Sequence, residues 1–148
     1  MPSSNPLPQS VLICGLGRSG IAAAKLALKN QIFCWISDEN SAGQTKNSTQ
    51  ELIAQGAHFI AASQIKSPMS VDLAIMSPGI PPTSQIFDNA KMASKNLCGE
   101  LDFAALFLPN TMLLGITGTN GKTTCTEMCT HILQKAGLNA ISAGNIGI

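Results

Sequence analysis

Charge is scarce in this sequence. Its 148 residues carry nine Lys and Arg against eight Asp and Glu, so charged residues make up 11% and the formal net charge is +1. No basic patch and no charge run is present, which argues against nucleic acid and against a membrane surface as partners. A small molecule, read by local geometry, is the expected substrate. Apolar runs of about 18 residues are also missing, so no membrane span is expected. The opening MPSSNPLPQS has no basic stretch leading into an apolar core and is not expected to act as a secretory leader. The five cysteines (14, 34, 98, 125 and 129) are odd in number and include no C-x-x-C pair, which points to reduced thiols and a cytoplasmic setting. Cys125 and Cys129 lie near His131, but idle thiols are the better reading than a metal site there. His58 and His131 have no partner spacing, and no solenoid-type repeat is found.

What is present is an alternation of short apolar runs with helical periodicities. VLICG (11–15), IFCWIS (32–37), AHFIA (57–61) and VDLAIMS (71–77) read as strands. RSGIAAAKLALKN (18–30), STQELIAQG (48–56), TSQIFDNAKMASKN (83–96) and GELDFAALFLP (99–109) read as helices, the last stopped by Pro109. TMLLGIT (111–117) and LNAISAG (138–144) read as further strands flanking a helix over 121–137. This order predicts an α/β fold: a Rossmann-like parallel sheet with flanking helices, followed by the first βαβ unit of a P-loop ATP-binding domain. The expected organisation is a loose arm over 1–10, a first domain over 11–97, a linker over 98–110 and the start of a second domain over 111–148.

Two glycine loops sit between a strand and a helix. In CGLGRSG, Gly15, Gly17 and Gly20 match G-x-G-x-x-G. The first glycine permits the turn, the second lets a phosphate approach the backbone, and the third lets the helix pack on its strand. Asp38 closes the next strand, where a ribose or base contact is expected. The pattern by itself does not choose between a dinucleotide and a sugar nucleotide. In TGTNGKTT, Gly118 and Gly121 let the backbone curl into an anion-binding nest. Lys122 supplies a mobile positive charge for phosphates, Thr123 a hydroxyl able to ligate Mg²⁺, and Thr124 a cap or phosphate contact. Ile116 stands where a strict Walker A loop has its first glycine. Ser77, Pro78 and Gly79 end a strand on the side where open α/β sheets bind ligands, and Asn145 in GNIG follows another strand in the same manner.

Taken in order, GLGRSG, SPGI, GELDF, GITGTNGKTT and GNIGI resemble the Mur ligase family, and most nearly its D-glutamate-adding members, over about residues 11–148. The resemblance implies an N-terminal domain holding the UDP part of UDP-MurNAc-L-Ala and a central domain binding Mg-ATP. It also implies a C-terminal domain that completes the site. The γ-phosphoryl group passes to the substrate carboxylate, and the amine of D-glutamate attacks the resulting acyl phosphate. By the same resemblance, Arg18 and Ser19 meet the diphosphate through backbone N–H groups, Asp38 and Glu39 lie at the uracil, Gly79 flanks the uridine and Asn145 contacts the substrate. Thr119, Asn120, Gly121 and Thr124 join Lys122 and Thr123 around ATP and Mg²⁺. Asn40 departs from the pattern, since some members carry an arginine against the uracil there. An L-alanine-adding ligase, a NAD-binding oxidoreductase-type module and a non-catalytic UDP-sugar binder are the alternatives. The resemblance also implies that this chain is a fragment, inactive alone. Its apolar strands 111–117 and 138–143 would then lack neighbours, and unpaired edges favour self-association.

Overall fold

The computed structural model describes residues 6–39, 47–65, 69–108 and 110–144. The chain divides into two compact units, Met1–Asn110 and Thr111–Ile148. In the first unit the order is β1 (Ser10–Cys14), α1 (Arg18–Lys29), β2 (Phe33–Ser37), α2 (Asn47–Ala54), β3 (His58–Phe59), a 3₁₀ turn (Ala62–Gln64), β4 (Val71–Met76), α3 (Gln85–Ala93), β5 (Ser94–Gly99) and α4 (Glu100–Ala105). The five strands form one sheet in the order β3-β2-β1-β4-β5, and every pair is parallel.

Parallel strands need crossovers, and crossovers on both faces bury both faces of the sheet. β1 is therefore apolar and buried from Val11 to Cys14. Its Val11 and Ile13 face one core with Ala23, Ala24, Ala27, Leu52 and Phe103. Its Leu12 and Cys14 face the other with Ala74, Ile86, Ala90 and Ala93. Each large apolar side chain buried in this way contributes roughly 1.5–3 kcal/mol. The alanines of α1 present a smooth face that lets the helix lie close on the sheet. Burial also pushes the thiols of Cys14 and Cys34 up to about 12, so neither is a reactive thiolate near neutrality.

One expectation changes. The segment expected as the end of a helix and a linker contains β5, whose pairing with β4 runs from Val71↔Ser94 to Met76↔Gly99. The helix expected over 99–109 is present as α4, which carries Phe103 into the core with no solvent exposure. The polar composition of SKNLCG hides a strand because this one lies at the sheet edge and keeps three of its six side chains exposed.

At the amino edge of the sheet, Asp72 ties three strands together. Its Oδ2 accepts from the Gln9 and Ser10 N–H groups at 2.9 and 3.1 Å, and its Oδ1 accepts from Lys95 Nζ at 2.7 Å. The Lys95 ammonium and these N–H donors hold the Asp72 carboxyl down at about 2, below its ordinary 3.8. A carboxyl with a depressed folded-state pKa stabilises the fold above its unfolded value, and that stabilisation is lost as pH falls through the folded value. Urea unfolding should therefore lose stability between about pH 3.8 and 2, and Asp72→Asn should reduce that loss. An Asp72→Asn protein with an unchanged acid slope would contradict this role.

Candidate functional site

The loop after β1 is shaped by its contacts. Gly15 has φ +96°, and a Cβ there would meet Ser77 Cβ at 2.6 Å. The Gly15 N–H donates to the Ser37 carbonyl at 2.9 Å, and the Ser77 N–H donates to the Cys14 carbonyl at 3.0 Å. The loops after β1 and β4 thus abut where the chain turns from one half of the sheet to the other. Open parallel sheets place their ligand cleft at such a switch point. Gly20 closes the arrangement from the helix side. A Cβ on it would fall 1.9 Å from the Gly15 carbonyl oxygen, so α1 could not start so close to β1 with any other residue.

Gly17 differs from both. It is the N-cap of α1 with φ −75°, and a Cβ on it would have nothing within 4 Å. The space over it faces outward. Arg18 and Ser19 are exposed, and the first turn of α1 carries no side-chain cap and no acidic residue. The first backbone N–H groups of a helix lack intrahelical acceptors and carry a partial positive charge. This end of α1 therefore offers donors and positive potential to an anion. Gly79 is similarly open, with no atom within 4 Å of a built Cβ, and Pro78 beside it is exposed.

Asp38 is placed differently from a plain ribose ligand. Its Oδ2 accepts the Leu16 N–H at 3.0 Å, so the carboxylate anchors the glycine loop to the end of β2. It also lines, with Glu39, a cavity of about 290 Å³. The remaining wall comes from Phe59 at the end of β3, from Ala61, Ala62 and Ser63 after it, and from Gln85 and Ile86 at the start of α3. No spacing in the sequence joins these residues, because two different crossovers bring them together. Asn40 lies outside the described residues, as does Asn145. Glu100 is a further residue that sequence reasoning missed. Its Oε1 is buried, without a hydrogen-bond partner among the described residues, and 3.6 Å from the point a Gly20 Cβ would occupy.

In the second unit, α5 (Lys122–Lys135) follows the second glycine loop. Gly118 and Gly121 both have positive φ, +151° and +77°, and Gly121 is the N-cap in the left-handed region. Lys122 Nζ folds back to donate to the Gly118 and Thr119 carbonyls. Thr123 and Thr124 are exposed in a first turn that has no side-chain cap and no acidic residue. Lysine, two hydroxyls and free helix N–H groups therefore share one end of α5, a donor set that fits polyphosphate with its Mg²⁺. The helix stops at Gly137, where the Leu138 N–H bonds the Leu133 carbonyl and the Gly137 N–H bonds that of Gln134. Neither 111–117 nor 138–144 forms a strand over its described residues, contrary to expectation. A ladder needs a neighbour, and these segments pair with none among the described residues. Met112, Leu114 and Ile141 stay exposed, and α5 buries none of its residues.

Comparison with known proteins covers both loops. Residues 116–147 match the Mur ligase middle domain. A UDP-N-acetylmuramoylalanine--D-glutamate ligase from Microcystis aeruginosa is 39% identical over 137 residues, which is 91% of this chain and 30% of that protein. The chain belongs to the Mur ligase family. Ligases of the same name from Trichodesmium erythraeum and Synechocystis sp. are each 36% identical, over 91% and 95% of this chain. This Mur ligase sequence spans about 30% of the length of those relatives, 29% and 31% respectively in the second and third. Its five-stranded parallel sheet and its second glycine loop both lie within the shared stretch.

Proposed function

We propose that this sequence forms the nucleotide-binding start of an ATP-dependent ligase that joins D-glutamate to UDP-MurNAc-L-Ala in cytoplasmic peptidoglycan-precursor synthesis. The carrying observation is the likeness to D-glutamate ligases over 91% of the chain, which spans both uncapped glycine-loop helices. In this reading the first unit binds the UDP-substrate. Backbone N–H groups of Arg18 and Ser19 meet the diphosphate over the open face of Gly17, and Gly15 and Gly20 set the loop. Asp38 and Glu39 lie towards the uracil, with Ser77, Pro78 and Gly79 across the cleft and Asn145 towards the rest of the substrate.

The second unit binds ATP through Gly118, Thr119, Asn120, Gly121 and Thr124. Lys122 neutralises charge on the β- and γ-phosphates, and the Thr123 hydroxyl would hold Mg²⁺, which offsets charge as the phosphoryl group moves. The γ-phosphoryl passes to the substrate carboxylate, releasing ADP. The D-glutamate amine then forms the amide bond, expels phosphate and gives up a proton.

A longer protein carrying this sequence should release phosphate from ATP only with both UDP-MurNAc-L-Ala and D-glutamate present. The 148-residue chain alone should stay at background, since the helix of its phosphate loop packs no residue into a core. Coupled phosphate release by the 148-residue chain would overturn the second statement. A longer protein that turned over with L-alanine and UDP-MurNAc instead would overturn the first.

A further inference from the structure

We propose that Gln85 sets which nucleobase the first unit accepts, by donating its carboxamide N–H to the 4-carbonyl oxygen of a uracil-type base. The inference rests on the UDP-substrate reading and adds to it a residue that neither the glycine motif nor the family likeness singles out. The cavity at the carboxyl ends of β2 and β3 has two kinds of wall. Phe59 and Ile86 supply apolar surface, while Asp38, Glu39, Ser63 and Gln85 supply polar groups. Such a pocket suits a flat heterocycle whose faces are apolar and whose edge is polar.

Charge orients the ligand. Two carboxylates at the cavity disfavour a phosphate there, whereas the uncapped start of α1 favours one. The base end therefore points to the cavity and the diphosphate to Gly17. Neighbouring contacts brace the walls. Asp38 is fixed on the Leu16 N–H at 3.0 Å, and Asn89 Nδ2 donates to the Ala62 carbonyl at 3.1 Å, joining α3 to the 3₁₀ turn.

The base edge must then match the donors present. Ionised carboxylates only accept, so they suit the ring N–H of uracil and repel the bare ring nitrogen of cytosine. Uracil also carries a 4-carbonyl oxygen beside that N–H, which needs a donor, where cytosine carries an amino group that needs an acceptor. Gln85 is the amide side chain in the lining, and it sits exposed at the first position of α3. The hydroxyl of Ser84 is turned to the Pro81 carbonyl at 2.8 Å rather than towards the helix start.

Titration calorimetry of the 148-residue chain with UDP and with CDP tests this. The wild-type chain should prefer UDP. Gln85→Glu keeps a side chain that the first turn of a helix tolerates but replaces the donor by an acceptor. It should lower the UDP-to-CDP affinity ratio by about tenfold, the effect of one exchanged hydrogen bond. Gln85→Met should weaken UDP without improving CDP. Circular dichroism checks that each variant is folded. UDP binding with the same ratio in wild type and both variants overturns the role of Gln85 and leaves the UDP-substrate reading standing. A wild-type chain that binds neither nucleotide overturns both.

Discussion

Gly20→Ala should destabilise the first unit by about 3 kcal/mol or more, a large share of the stability of a domain this size. The added methyl would sit 1.9 Å from the Gly15 carbonyl oxygen. Both partners are backbone, so no rotamer change relieves the overlap. α1 would have to lift from β1, which opens the packing of Ala23, Ala24 and Ala27 on the sheet. Gly17→Ala is the matched control. Its φ is −75° and its Cβ would meet nothing within 4 Å, so its stability should stay within about 1 kcal/mol of wild type. Its binding of a UDP ligand should nevertheless fall about tenfold, because the methyl enters the space where a phosphate would approach. Trp35 is the single tryptophan and lies partly buried on β2, so its fluorescence can follow urea unfolding of each variant. Equal midpoints for the two variants would contradict this division of roles.

Lys122→Met should lower the ligation rate of a longer protein carrying this sequence by about 10²–10³, the scale seen when one preorganised charge-stabilising group is removed. Among the described residues the side chain bonds only the carbonyls of its own loop, Gly118 and Thr119, and α5 buries no residue. Thermal stability should therefore move little while turnover collapses. Steady-state kinetics and a melting curve on the same preparation separate the two. A variant with normal turnover would remove Lys122 from the phosphate site. A large fall in melting temperature with proportionate loss of turnover would make its role structural.

The first four strands of the sheet were legible because each is a short apolar run closed by a turn signal or followed by a helical period. β5 was not. Its Ser94, Lys95 and Asn96 are poor strand formers, and only the ladder with Val71–Met76 makes them one. The converse happened at 111–117 and 138–143, where apolar composition suggested strands but the described residues have no ladder partner. For the site, glycine spacing located both loops, since positive φ and close approach are local demands that a sequence must meet at fixed positions. The cavity walls were invisible. Ser63 and Gln85 lie on different crossovers, and nothing in a linear pattern records that two crossovers end beside each other. Asp38 was legible as an acidic residue closing β2, but its bond to the Leu16 N–H was not.

The central claim is that the first glycine loop serves a UDP-linked substrate. It is tested most directly by titrating the 148-residue chain with UDP-MurNAc-L-Ala and with NAD⁺ under identical conditions. Saturable binding of the UDP ligand, weakened by Gly17→Ala and absent for NAD⁺, is the predicted result. Binding of NAD⁺ in preference to the UDP ligand would contradict it.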